Sequence, residues 1–247
     1  MSIREYRDIC QKGKLQKKDV PFFYKVHRLW SIYITIAFLK LGMCADTVTM
    51  LSFCTGAAAL GLLCVPYPWF FAAGCLVYYF SFLLDKCDGE VARYTGVFSA
   101  RGVYLDELYH FLINGGLFTA VGIRIFAATA DSAFLIIGMA ATLLCILIRI
   151  ERKLHFFIYC KSDKFRSMSA GQRASRLLPL VQSKFFGWPS LLTYSDIVIY
   201  MLAAFSFIGL RYFLYACLAL YGYILLRRIV INLLGGLEKN LALIHLP

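Results

Sequence analysis

The sequence predicts an all-α integral membrane protein, with six transmembrane helices and an N-terminal amphipathic helix lying at the cytoplasmic interface. Three observations predict it. Of 247 residues, 60% are hydrophobic and only 16% charged, with a mean hydropathy of +0.69. A soluble domain usually carries about 25% charged residues. The apolar residues gather in runs near the ~20 residues that cross a bilayer. The lysines and arginines concentrate in alternate connections between those runs.

The elements follow in order. The first 28 residues are too polar for a secretory signal peptide and lack a small-residue cleavage site. Residues 22–41 are aromatic but interrupted by Lys25, His27, Arg28 and Lys40. That pattern suits a helix lying in the interface rather than a span. Spans are predicted over 47–65, 69–86, 103–126, 132–149, 192–209 and 212–229. The sequence Pro66-Tyr67-Pro68-Trp69 reads as a tight turn with interfacial aromatics. Short turns follow at 127–131 and 209–211. Residues 150–187 form the longest polar excursion and read as an amphipathic cytoplasmic helix and loop. The whole chain, 1–247, is read as one membrane domain: an N-terminal segment to 44, a six-helix bundle over 45–230 and a cytoplasmic tail over 231–247.

Charge sets the expected orientation. Segments 1–44, 85–101, 149–187 and 226–247 hold 24 of the 26 lysines and arginines, and Arg124 and Arg211 are the other two. The positive-inside rule places both termini and the intervening 85–101 segment in the cytoplasm. The net charge of +12 is then a collar for anionic headgroups and anionic substrates. It is spread over helix ends and carries no recognition motif, which argues against nucleic-acid binding. The nine cysteines contain no CxxC pair and no zinc spacing, and most sit in apolar runs as small apolar side chains.

Between the second and third spans lies a cluster of carboxylates. Asp85 and Asp88 are three residues apart; Gly102, Asp106 and His110 follow at intervals of four. On helices both spacings put side chains on one face. An ionised Asp at bilayer depth costs roughly 2.5–3.5 kcal/mol, so several together point to a use. A divalent metal is the cheapest, because its charge offsets theirs. Oxygen ligands from Asp85, Asp88 and Asp106 suit Mg2+ or Mn2+. Gly89, Ala92 and Gly102 leave room for a backbone or ligand, and Arg93 suits a pyrophosphate. His110 fits a general base, a metal ligand or a hydrogen-bonded packing residue. Glu90 and Glu107 are expected to point away from the cluster, and Cys87 to be a spacer.

The run from Asp85 to His110 resembles the signature of the CDP-alcohol phosphotransferase superfamily, D-x2-D-G-x2-A-R-x8-G-x3-D-x3-D. Every position matches from Asp85 to Asp106; His110 stands in place of the fourth Asp. The resemblance implies a metal-dependent membrane enzyme. A CDP-linked alcohol, such as CDP-diacylglycerol or a CDP-polyol, gives its phosphoryl-alcohol group to an acceptor hydroxyl, and CMP leaves. It implies that Asp85, Asp88 and Asp106 hold the metal, with His110 at the position that completes the site. It implies that Gly89, Ala92, Arg93 and Gly102 line the nucleotide site, and that Asp106 and His110 are catalytic. It also implies membrane lipids and a second copy of the chain as partners. Many members carry T-P-N-x-x-T near the first span; residues 44–49 read Cys-Ala-Asp-Thr-Val-Thr, so Thr49 matches, which the resemblance adds to the nucleotide-binding residues, while the Pro and Asn are missing. The DGEVAR form is closer to members handling polyol or inositol phosphates. A phosphorylated acceptor would draw on Arg101, Arg149, Arg152 or Lys153. The alternatives are a member with altered chemistry, using another nucleotide-linked donor or water, and a non-catalytic lipid- or nucleotide-binding protein.

Overall fold

The computed structural model describes residues 1–11, 22–161 and 207–231. Those residues are almost wholly helical, with no strand among them. Helix α1 (Ile3–Cys10) and α2 (Phe22–Lys40) lead into α3 (Ala45–Cys64) and α4 (Pro68–Thr95). Helix α5 (Ala100–Tyr109) passes through a π turn (His110–Asn114) into α6 (Gly115–Thr129). Then come α7 (Ala133–Lys161) and α8 (Phe207–Ile231). Among the described residues, five stretches are long and apolar enough to cross a membrane: Ala45–Cys64, Pro68–Thr95, Ala100–Thr129, Ala133–Glu151 and Gly209–Val230. They coincide with five of the six spans read from the sequence. The span expected at 192–209 lies almost wholly outside the described residues, as do most of the 150–187 excursion and the tail.

Local chemistry explains the boundaries. Ser2 and Glu5 form a capping box on α1: the Ser2 amide donates to Glu5 Oε2 at 2.9 Å, and the Glu5 amide to Ser2 Oγ at 3.3 Å. Pro68 opens α4 at the first turn, where its missing N–H costs nothing. The helix continues nine residues past the expected end at 86. Gly89 inside it costs about 1 kcal/mol of helix propensity, but Cys87, Glu90 and Val91 are buried against neighbours and offset that cost. The helix stops at Gly96, whose φ of +70° is the left-handed conformation that favours glycine at a C-terminus. The Ser99 hydroxyl caps α5, accepting the Gly102 amide at 2.7 Å.

The main core joins α3, α4, α5, α6 and α7 through Leu63, Phe71, Tyr78, Tyr109, Leu117, Phe118, Ile125 and Ala141, all fully buried. A smaller cluster of Val48, Cys87 and Val91 packs between α3 and α4, with Ile34 and Phe38 of α2 against it. Helices α6 and α7 cross at Gly122 and Gly138. A Cβ at Gly122 would sit 2.6 Å from the Phe134 carbonyl, and one at Gly138 2.7 Å from the Phe118 carbonyl, so the backbones themselves touch. Arg124, counted by sequence among the charges of an outer turn, is buried: its guanidinium donates to the Val65 and Tyr67 carbonyls and lies 4.7 Å from the Phe71 ring centre.

Helix α2 is polar inward and apolar outward. Arg28, Ser31 and Thr35 face α4 and are buried, while Leu29, Trp30 and Tyr33 are exposed. An outer face of that kind fits hydrocarbon or headgroup rather than bulk water.

Candidate active site

The connection between α4 and α5 folds the two halves of the acidic motif against the first turns of α3. The Thr49 hydroxyl donates to Asp88 Oδ2 at 2.8 Å, and the Gly89 amide donates to Asp88 Oδ1. Asp88 is thereby held from both sides within electrostatic reach of Asp85 and Asp106. Thr49, the one residue of the 44–49 segment that matched the family pattern at its end, is thus joined to the motif.

Asp85 is nearly closed off, and Asp106 is not: their side chains are 3% and 41% exposed. Lys86 pairs with Asp85 Oδ2 while lying 4.3 Å from the Phe82 ring centre. His110 Nε2 stands 3.7 Å from Asp85 Oδ1 and 3.6 Å from Asp106 Oδ1. One ligand atom from each of Asp85, Asp106 and His110 can be chosen so that all lie within 4.8 Å of one another. That spacing suits a single ion, and two carboxylate oxygens suit a hard divalent cation. The far nitrogen of the imidazole, Nδ1, lies 2.7 Å from Asn114 Nδ2 across the π turn. Such turns recur at functional positions in helices. The ring edge of His110 meets Tyr109 at 5.5 Å, and the Tyr109 hydroxyl is tied to Ser81 at 2.7 Å.

A cavity of about 230 Å3 opens beside the acidic residues. Thr49, Asp88, Gly89, Ala92, Gly102 and Asp106 line it, together with Ala45, Asp46, Val97, Phe98, Ser99 and Val103. Six of the nine site residues inferred from the sequence therefore share one surface. Asp85, Arg93 and His110 are not on it.

Two relationships were not legible from the motif. Asp46, which stands where many family members have Asn, accepts a hydrogen bond from the Ser99 hydroxyl at 2.6 Å. A Cβ at Gly102 would lie 2.7 Å from Asp46 Oδ1, so a side chain there would push the Asp46 carboxylate from its place beside Ser99. Arg93 donates from Nε to the Cys10 carbonyl at 2.5 Å, at the end of α1. Its Nη1 would sit 3.1 Å from a Cβ at Gly89, so the guanidinium lies over the bare backbone of α4. The N-terminal segment thus holds a residue that the motif alone left as a free cation.

Glu90 points away from the cluster, as expected, but into a second buried polar centre. Its Oε1 accepts from Arg28 at 2.7 Å, Ser31 at 2.8 Å and Gln11 at 2.9 Å, and its Oε2 from Thr35 at 2.7 Å. Glu107 pairs with Lys153 at 2.6 Å on the outer side. Arg149 stacks near the Phe111 ring, 5.7 Å from its centre, and Arg101 is exposed; the side chain of Arg152 lies outside the described set.

A comparison with curated proteins returns no match. The family model for CDP-alcohol phosphatidyltransferase matches residues 42–207, about two thirds of the 247. The match takes in α3, the whole acidic motif and its cavity, and on it the chain belongs to the CDP-alcohol phosphatidyltransferase family of membrane phosphotransferases.

Proposed function

We propose that the protein transfers a substituted phosphate group from a CDP-linked alcohol, such as CDP-diacylglycerol or a CDP-polyol, to an acceptor alcohol, with release of CMP. The observation that carries this reading is the gathering of Asp88, Gly89, Ala92, Gly102 and Asp106 around one cavity, within the stretch that the family model matches. The residues fit a divalent ion such as Mg2+ or Mn2+: Asp85 and Asp106 offer close oxygens, and Asp88 is oriented beside them. Bound there, the ion would neutralise pyrophosphate charge and stabilise the departing CMP.

The chain's own residues account for the rest. Gly89 and Ala92 let a pyrophosphate approach the α4 backbone, and Arg93 brings a guanidinium over it. The acceptor oxygen attacks the phosphorus that bears the alcohol. The bond from that phosphorus to the bridging oxygen breaks, and CMP leaves with the oxygen. The hydroxyl proton passes to a carboxylate, for which Asp106 is the solvent-accessible choice. Phosphoryl transfer depends mainly on positioning and charge stabilisation, which these residues supply. The excess of lysine and arginine in the segments around the motif supports a cytoplasmic site.

The test is CMP release by purified protein in lipid, with CDP-diacylglycerol against CDP-glycerol-type donors and a pool of polyol and polyol-phosphate acceptors. Release should stop on chelation and return with Mg2+ or Mn2+. Asp88→Asn should abolish it in a folded protein; normal turnover in that variant would overturn the metal assignment.

A further inference from the structure

We propose that the N-terminal helix α1 is a positioning element for the nucleotide site. Tyr6, the Cys10 carbonyl and Gln11 hold the Arg93 guanidinium over Gly89, at the edge of the cavity, so that binding of a CDP pyrophosphate depends on α1 being docked. The proposal deepens the function proposed above and rests on it only in naming the ligand of that cavity.

Helix α1 grips one short stretch of α4 at three points. The Tyr6 ring stacks on Tyr94, with centres 5.4 Å apart and planes 25° from parallel. The Cys10 carbonyl accepts from Arg93 Nε at 2.5 Å. The Gln11 side chain is buried and donates from Nε2 to Glu90 Oε1 at 2.9 Å and to the Arg28 carbonyl at 2.7 Å. Residues 90, 93 and 94 are spaced i, i+3 and i+4, which puts all three anchors on one face of α4. Cys10 is the last residue of α1, where carbonyls lack partners within the helix and the dipole is negative. A guanidinium is the favoured group there.

Arg93 follows Gly89 by four residues and Glu90 by three, so it stands on the border between the cavity face of α4 and the face that meets α1. Its Nε is held on the α1 side. Its Nη1 and Nη2 would lie 3.1 and 3.6 Å from a Cβ at Gly89, so the fork that suits a phosphate is laid over the bare backbone that lines the cavity. An arginine side chain loses much rotamer freedom when it is ordered. Ordering it before the ligand arrives lowers the cost of binding. The docked helix therefore governs affinity for the donor, while the transfer step stays with the carboxylates. The family match begins at residue 42, so α1 and its side of these contacts lie outside it.

The test uses full-length protein in lipid nanodiscs with Mg2+, and CDP as the probe. Gln11→Leu and the milder Tyr6→Ala should each weaken CDP binding in calorimetry by about tenfold, the scale of one hydrogen bond to a charged group. Tyr6→Phe, which keeps the stacked ring, should bind as the wild type does. In an Arg93→Ala background neither change should weaken CDP further, because a helix that acts through Arg93 has nothing left to act on. A further loss in that background would overturn the proposal, as would unchanged affinity in both single variants. Phenylglyoxal labelling of Arg93, read by mass spectrometry without nucleotide, should quicken in Gln11→Leu and Tyr6→Ala and not in Tyr6→Phe. Unchanged labelling in both loosened variants would overturn the proposal whether or not CDP binds. Faster labelling in a protein whose wild type binds no CDP would leave the tether standing and overturn the nucleotide reading of the cavity.

Discussion

The Arg28 guanidinium meets the Glu90 carboxylate at 2.7 Å, with side chains 7% and 0% exposed. Glu90 follows Asp88 by two residues, about 200° round the helix, so α4 carries a charge on each of two nearly opposite faces. One face addresses the cavity and the other fastens α1 and α2. Removing one partner of a buried ion pair leaves the other charge desolvated, at about 3–5 kcal/mol. Glu90→Ala should lower the thermal midpoint sharply and loosen the N-terminal helices, which limited proteolysis between α1 and α2 would register. Glu90→Gln, which keeps four hydrogen-bonding partners, should be milder.

The bond from Thr49 to Asp88 fixes a carboxylate without touching the reaction. Partners of that kind are typically worth about 10–100-fold in metal affinity. Thr49→Val should therefore raise the Mn2+ concentration needed for half-maximal CMP release by a factor in that range. The thermal midpoint should barely move. An unchanged metal dependence would mean that Asp88 needs no such support.

Gly102 and Asp46 form a pair whose substitutions should not add. Gly102→Ala forces a methyl against Asp46 Oδ1 and the Ser99 hydroxyl. Overpacking of this sort costs about 1–3 kcal/mol. Asp46→Gly in the same chain removes the obstacle and should restore most of the lost stability and activity. Additive losses in the double variant would show that the α3–α5 approach does not set the requirement for glycine.

His27 is buried between the Tyr79 and Phe82 rings, 5.1 Å from each centre, and its ring nitrogens make no hydrogen bond to the described residues. Burial, followed by the charges of Lys86 and Arg28, lowers its pKa from 6.5 to about 4. The folded form holds it neutral, whereas the unfolded form binds a proton below 6.5. Stability from this residue is therefore complete above 6.5 and falls between 6.5 and 4, by an amount on the order of 3 kcal/mol. His27→Phe should flatten the pH dependence of the thermal midpoint over that window relative to the wild type. Parallel curves would refute the assignment.

Much of this was legible in the sequence, for physical reasons. Five apolar runs announced helices because length and hydropathy are local properties of the chain. The motif residues announced a site because three carboxylates between apolar runs are costly without a use. Thr49 was legible through its fixed place at the start of the first span. What was not legible was long-range pairing. Lys25, His27, Arg28 and Lys40 all read as interface markers, yet His27 and Arg28 are buried, and the partner of Arg28 lies 62 residues away. No periodicity encodes that separation. The reach of Arg93 to Cys10 across 83 residues was hidden for the same reason, and so was the contact of Asp46 with Gly102. The His110–Asn114 bond is only four residues long, but the π turn that frames it has no composition signal.

At the crossing of Gly122 and Gly138, carbonyl and Cα atoms touch with no side chain between them. A junction of that kind has no rotamers to exchange, so it behaves as a weld between α6 and α7. Any rearrangement of the bundle must spare it.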